Sequence, residues 1–344
     1  MEKIVASPPP SQSKPYPVLV GSGVLGELPD IVEGFEGIDS IVVIYDEAVK
    51  EIAERIQRDL HASLMVPVAS GEQSKTLAEA ERISKILLQN NVTRQALIVN
   101  VGGGMLTDLG GLIAFCYKRA GMASINVSTS LLGMVDASVG GKTAVNVGGS
   151  KNSFGQYHHP SAVVADTDTL GPLPDQQMRE GIVEVVKIAA IRDAEFFEWL
   201  EMNVHDVLTK MRDKLFHCIG RAISLKVGIC EEDERDGGVR MQLNFGHTVG
   251  HPLEELSDHR ISHGEAVSIG MMEEMNMART PGESVARIAN LLQEIEMPIS
   301  IPEGISRDAI AKEMRNDKKC RDDQILIAVP TNIGNGSIYE VPQQ

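Results

Sequence analysis

Three short apolar strands alternating with two amphipathic helices constrain the first half of this chain more than any other feature. Residues 41–45 read IVVIY, a buried strand. Residues 47–60 carry Val49, Ile52, Ala53, Ile56 and Leu60 at helical spacing, and residues 63–68 form a second strand. A second helix over 76–89 places Leu77, Ala80, Ile83, Ile86 and Leu87 on one stripe, and residues 96–101 (ALIVNV) give a third strand. That order means βαβ units and a parallel sheet. A further strand-like run covers 123–127. After about residue 175 the texture changes: 180–190, 205–230, 265–279 and 284–296 read as helices, with one strand near 325–329. A boundary near residue 170 is expected, with an α/β half over 1–170 and a mostly helical half over 171–344. Residues 1–15 are Pro/Ser-rich and expected to be loosely held. A length of 344 residues, 42% hydrophobic and 23% charged, is enough for two globular domains.

Charge narrows the partners. With 32 Lys+Arg against 48 Asp+Glu the net charge is −16, which argues against nucleic acid and anionic membranes. An anionic small substrate then needs a local basic island. No apolar run reaches the ~18–20 residues of a membrane span, and the first seventeen residues lack a signal-peptide apolar stretch. Cys116, Cys218, Cys230 and Cys320 are scattered without a CxxC, as expected of free thiols in the cytoplasm.

Gly102, Gly103 and Gly104 follow the third strand directly, and a helical pattern opens near Asp108. Glycines between a strand end and a helix N-terminus let the backbone approach a phosphate, although GGGMLTD is neither GxGxxG nor a Walker loop. A plain tight turn is the bland alternative. Gly140-Gly141-Lys142-Thr143 and Gly148-Gly149-Ser150-Lys151-Asn152 add two lysines emerging from glycine loops. They suit a phosphate cradle, or else two surface turns.

His247 and His251 stand four apart in NFGHTVGH, so on a helix both rings share a face. The glutamate of HExxH is absent, which removes the general base of a metallopeptidase. His263 follows in SHGEA. Glu184 sits inside the apolar stretch GIVEVVK with Lys187 one turn on, either as a buried ion pair or as a metal ligand beside a charge. Two histidines and one carboxylate with an open position make a catalytic zinc site, but spacing alone does not choose among the three histidines. His61, His158, His159, His205, His217 and His259 read as surface or structural. Lys226, Arg240, Lys318 and Lys319, with Lys142, Lys151 and Lys187, could supply the cationic island; singly each reads as a solvated charge.

These segments resemble the 3-dehydroquinate synthases of the sugar phosphate cyclase superfamily, over about residues 16–330. The likeness runs through GEQSK at 71–75, GGGMLTD at 102–108, YKR at 117–119 and LLGMVDASVGGKT at 131–143. It continues through GSKN at 149–152, GIVEVVK at 181–187, LNFGHTVGH at 243–251, SHGEA at 262–266 and DKK at 317–319. The resemblance implies an α/β N-terminal Rossmann-like domain with a parallel sheet, binding NAD, then a mostly α-helical C-terminal domain binding metal and substrate. It also implies a homodimer. The implied reaction takes a seven-carbon keto acid sugar phosphate through transient oxidation by NAD, β-elimination of phosphate, re-reduction, ring opening and intramolecular aldol closure. A divalent metal, zinc or cobalt, polarises the oxygen, and NAD is regenerated.

Carried over by position, the metal ligands are Glu184, His247 and His263. Lys142, Asn152 and His251 hold the substrate phosphate, His251 also as a proton relay, with Arg119 reaching in from the neighbouring subunit. Arg240 and one of Lys318 and Lys319 hold the carboxylate. Lys187, Lys226, Asp136 and Asn244 orient hydroxyls near the metal, so the catalytic set is Lys142, Lys187, His251 and Asn244. For NAD, Asp46 meets the adenosine ribose, followed by Glu72 and Lys75. Gly103, Gly104 and Met105 lie at the pyrophosphate, and Asp108, Thr129, Ser130, Asp136, Lys151 and Gln177 line the rest. An acid at a strand end disfavours NADP.

Three departures stand out: Ser128-Thr129-Ser130 for Pro-Thr-Thr, Pro172 for Thr, and Ala137 for the first of two serines. They bear on cofactor affinity and remove no expected metal, phosphate or carboxylate contact. The alternatives are a 2-deoxy-scyllo-inosose or valiolone-type cyclase, which does not need the carboxylate-binding set, a polyol or glycerol phosphate dehydrogenase, and a non-enzymatic paralogue.

Overall fold

The computed structural model describes residues 15–258, 260–314, 320–321 and 324–342. Lys318, Lys319 and His259 lie outside them. Among the described residues, six parallel strands form one sheet: β1 (Val18–Gly21), β2 (Ile41–Asp46), β3 (Leu64–Val68), β4 (Leu97–Gly102), β5 (Ser124–Ser128) and, after a hairpin, β8 (Ala162–Asp166). Their order is β1-β8-β5-β4-β2-β3. Alternate side chains of one strand feed opposite faces. Val42 and Ile44 pack with Leu106, Leu109 and Ile113, whereas Val43 and Tyr45 pack with Ala53 and Ile56. Burial on both faces explains the continuous apolar runs in the sequence. The helices that cover the sheet include α1 (Leu28–Glu33), α2 (Lys50–Leu60), α3 (Leu77–Gln89) and α4 (Gly104–Cys116). Helix α4 opens at Gly104, earlier than the pattern near Asp108 predicts, because glycines hide the helical period.

The hairpin β6 (Lys142–Val147) and β7 (Ser150–Tyr157) turns at Gly148-Gly149. It therefore carries both lysine-bearing glycine loops as one unit. Thr76 bridges to Asn146 and ties the hairpin to the loop before α3.

Helices α5 (Asp175–Arg192), α6 (Ala194–Leu208), α7 (Arg212–Glu232), α8 (His247–Leu256), α9 (His263–Met277), α10 (Gly282–Glu294) and α11 (Arg307–Met314) follow. The single helix expected over 205–230 is two, α6 and α7, broken by Lys210 at φ 59°. Beyond α11, β9 (Cys320–Arg321), β10 (Gln324–Asn332) and β11 (Asn335–Pro342) form an antiparallel sheet, more strand than the one run near 325–329 suggested. Helix α5 is buried almost all round, with Val183, Val185, Val186, Ile188 and Ala189 in the core shared by α6, α7, α9 and α10. No described helix is long and apolar enough to cross a membrane.

Candidate active site

Helix α5 delivers Glu184 into the interior. Its carboxylate is 2% exposed and pairs with Lys187, also 2% exposed, one turn on. A turn at Gly246 sets His247 as the first residue of α8, and buried Glu274 fixes that end. Glu274 accepts from the Gly246 N–H at 2.8 Å and the Val249 N–H at 3.0 Å, where a helix N-terminus favours an anion. Helix α9 starts at His263 behind a capping box made by Ser262 and Glu265. Three elements remote in sequence thus converge. The Nε2 atoms of His247 and His263 lie 3.7 and 3.5 Å from Glu184 Oε1, and one ligand atom from each residue falls within 4.8 Å of the others.

The donor set fits a divalent cation. Neither Glu184 oxygen accepts a hydrogen bond of good geometry although both are buried. Each histidine is anchored by Nδ1, His247 to the Phe245 carbonyl at 3.2 Å and His263 to Glu254 at 2.9 Å, leaving Nε2 towards Glu184. Burial disfavours a charged His263, yet the Glu184 and Glu254 carboxylates on either side of the ring outweigh it and raise its pKa to about 10.

A cleft of about 1250 Å³ opens beside this cluster, lined by Asp136, Lys142, Lys226, Arg240, Asn244 and His251 among others. Asp136 sits in a π-helical turn, Gly133–Ala137, and accepts from Lys226 Nζ through its carboxylate and its carbonyl. Burial pushes the Asp136 carboxyl up, but Lys226 and then Lys187 prevail and hold it well below the usual range. Lys142 Nζ pairs with Asp236 Oδ2 at 2.5 Å. Arg240 is 1% exposed and donates to the carbonyls of Glu234 at 2.7 Å and Gly140 at 2.8 Å, so it is no solvated charge. The His251 ring stands 5.3 Å from that of His247.

Of the residues expected at NAD, Asp46, Gly103, Gly104, Thr129 and Ser130 lie at the C-terminal ends of β2, β4 and β5, where ligands of open parallel sheets bind. Asp46 ends β2 and accepts from the Ala48 N–H at 2.9 Å and from Ser70. Gly103 is the N-cap of α4 and no side chain caps it, which leaves the first turn suited to an anion. A Cβ on Gly103 would meet Ser130 Oγ at 3.0 Å, and one on Gly104 the Ala137 Cβ at 2.8 Å, so the start of α4 lies against the Ser130–Ala137 segment, while Met105 packs on the core of Leu106 and Leu109. The Thr129 N–H donates to the Gly102 carbonyl at 2.9 Å. Glu72 accepts from Asn146 at 2.8 Å. Gln177 is exposed in the first turn of α5.

Some expected side chains are otherwise engaged. Lys75 Nζ reaches Asp108 at 2.6 Å and Asn152 at 2.5 Å, joining a residue assigned to cofactor with one assigned to phosphate. Lys151 pairs with Glu254. Arg119 is exposed, at φ 57°, and does not line the cleft of its own chain. Glu254 and Asp236 are functional neighbours that no motif in the sequence singles out. Glu254 lies at i+7 from His247 and i+3 from His251, a spacing that marks a shared helix face. Its pKa is held at about 2: burial raises it, but the hydrogen bond and charge of His263, with Lys151, outweigh that.

Family models match both halves of the chain, 3-dehydroquinate synthase N-terminal over residues 65–180 and C-terminal over 181–320. The chain belongs to the 3-dehydroquinate synthase family. A 3-dehydroquinate synthase of Methylococcus capsulatus is 38% identical over 333 residues, covering 94% of this chain and 92% of the relative. That of Shewanella sp. strain MR-4 is 36% identical over 338 residues, covering 95% and 94%. Among solved structures, a 2-epi-5-epi-valiolone synthase from Streptomyces hygroscopicus with NAD+ and Zn2+ bound shares the fold, with a TM-score of 0.87 and 24% identity over 98% of this chain and 96% of that one. A 2-deoxy-scyllo-inosose synthase with carbaglucose-6-phosphate, NAD+ and Co2+ gives a TM-score of 0.81 and 25% identity over 95% and 93%. In this member of the 3-dehydroquinate synthase family the α/β sheet precedes the helices that carry Glu184, His247 and His263.

Proposed function

We propose that this chain converts 3-deoxy-D-arabino-heptulosonate 7-phosphate to 3-dehydroquinate and phosphate. The observation that carries the reading is a single cleft, lined by cations suited to both ends of the substrate, that opens beside the acid–imidazole cluster at His251. Lys142, Asn152 and His251 would bind the phosphate. Arg240, which lines the same cleft, would bind the carboxylate with one of Lys318 and Lys319, a group that the non-carboxylate cyclases do not need to hold. Glu184, His247 and His263 would hold the divalent ion, and two imidazoles with one carboxylate favour zinc. The β2, β4 and β5 ends would hold NAD. Bound NAD takes and returns a hydride, and the bound ion polarises the oxygen that reacts.

The chain's own residues do the rest. Lys187 and Lys226 keep Glu184 and Asp136 ionised inside the protein, Glu184 to hold the ion and Asp136, with both lysines and Asn244, to orient hydroxyls. Lys142 exchanges Asp236 for the substrate phosphate. His251, on the same helix face as His247, can carry a proton between a ring nitrogen and the phosphate side of the cleft. We read residues 1–170 as the NAD-binding domain and 171–344 as the metal- and substrate-binding domain, since the parallel strands end by Asp166 and the ligand-bearing helices begin at Asp175. The unpaired thiols of Cys116, Cys218 and Cys230 suit a cytoplasmic enzyme.

The deciding assay mixes the chain with the seven-carbon keto acid phosphate, NAD and zinc, following phosphate release and absorbance at the NADH band together. Phosphate release without accumulating NADH is expected; net NADH formation would make the enzyme a dehydrogenase.

A homodimer with a shared site accounts for Arg119, which is exposed and away from the cleft of its own chain. Arg119→Ala is expected to raise KM for the sugar phosphate. Mixed one to one with Glu184→Gln under subunit exchange, it should regain about a quarter of wild-type activity, since half the dimers then hold one intact composite site. No recovery in verified heterodimers would place Arg119 outside the site.

A further inference from the structure

We propose that Glu254 is a positioning residue for the metal site, holding His263 by its Nδ1 while anchoring the substrate-side hairpin through Lys151. The inference rests on Glu184, His247 and His263 being the ligand set. Glu254 is 2% exposed on α8 and spans two other elements. Its Oε1 lies 2.9 Å from His263 Nδ1 on α9, and its Oε2 pairs with Lys151 Nζ on β7. The same imidazole presents Nε2 to Glu184 at 3.5 Å. A proton on Nδ1 directed at Glu254 fixes the tautomer whose Nε2 lone pair faces the cluster.

His247 is anchored differently. Its Nδ1 meets a backbone carbonyl, that of Phe245, at 3.2 Å. The anionic partner of His263 makes that ring the more basic ligand and brings a second negative charge next to the cation. Packing alone would not need a charge here. A glutamine of the same shape could face His263 with its oxygen, but its amide nitrogen would then confront the Lys151 ammonium. The Glu254 carboxylate satisfies both neighbours at once, and through it the metal ligand and the hairpin that bears Lys142 and Asn152 form one connected unit.

The test uses the metal-free full-length chain and Co2+, following the visible absorption of the bound ion and the heat of binding. Glu254→Gln is expected to weaken Co2+ binding about 10–100-fold and to alter the visible band, with unchanged circular dichroism. Glu254→Asp keeps the charge but withdraws it by one methylene; it should weaken Co2+ in the same direction by a smaller factor, and it serves if the glutamine variant does not fold. Lys151→Met leaves the Glu254–His263 contact in place and should not weaken Co2+ binding. Wild-type affinity and spectrum in Glu254→Gln would overturn the inference, as would Lys151→Met losing Co2+ as strongly as Glu254→Gln. Glu184→Gln runs alongside. If wild type takes up no Co2+, or Glu184→Gln binds it as wild type does, the ligand set is wrong and this inference falls with it. If only Glu254→Gln behaves as wild type, the ligand set stands and this inference alone fails.

Discussion

Glu184→Gln is expected to lose its metal and at least about a thousandfold in kcat, the effect of forfeiting several kcal/mol of transition-state charge stabilisation. The substitution preserves shape and removes the one charge among the three ligands. It also strands Lys187, whose ammonium is 2% exposed and pairs with Glu184. Breaking a buried pair from one side costs about 3–5 kcal/mol, so lost activity could reflect lost fold. Two measurements separate these causes: metal content of the purified variant, and its thermal midpoint beside Glu184→Gln/Lys187→Met. The double variant removes both charges and should recover most of the stability without recovering metal. Full metal content with near-normal turnover in Glu184→Gln would remove it from the ligand set.

What the sequence discloses depends on whether a signal is local. The strands β2 and β4 show in IVVIY and ALIVNV because both faces of the sheet are covered, so they are almost wholly apolar; the one polar residue, Asn100, is buried and donates to Asn126 on β5 at 3.0 Å. The strands β1 and β8 escape notice. They are four and five residues long, and they pair with each other, Val18 opposite Val163, across the length of the α/β half. The hairpin escapes for a different reason: Lys142, Lys151 and Asn152 are read as parts of glycine loops, and only antiparallel pairing places them on one hairpin that lines one cleft. In the site, Glu184 is conspicuous as an acid in an apolar helix. Glu254 is not. In the stretch Pro252-Leu253-Glu254-Glu255 it looks like a solvated helix face, and only the approach of α9 and the hairpin buries it. The selection of His247 and His263 over His251 likewise turns on where α5 runs, which no spacing rule encodes.

The same long-range logic predicts a large effect at a residue with no side chain. Helices α8 and α9, which present His247 and His263, cross at Gly270. A Cβ there would stand 1.9 Å from the Gly246 carbonyl oxygen, 2.8 Å from its carbon and 3.0 Å from the Gly250 nitrogen. All three atoms are backbone, so no rotamer relieves the clash and the helices must part by about 1–2 Å, an overpacking penalty of about 1–3 kcal/mol. Gly246 immediately precedes His247, so the separation is delivered straight to one ligand. Metal distances tolerate only about 0.2 Å, and a misplacement of about 1 Å costs about a hundredfold in rate. Gly270→Ala is therefore expected to cut kcat/KM about a hundredfold and to weaken metal binding, while NAD binding at the sheet persists. The control is Gly228→Ala on α7, where an added Cβ meets nothing within 4 Å; it should be neutral or stabilise by about 0.5–1 kcal/mol. Equal losses in both variants would assign the effect to general helix disruption, and normal metal affinity in Gly270→Ala would show that the two ligand-bearing helices need not be this close.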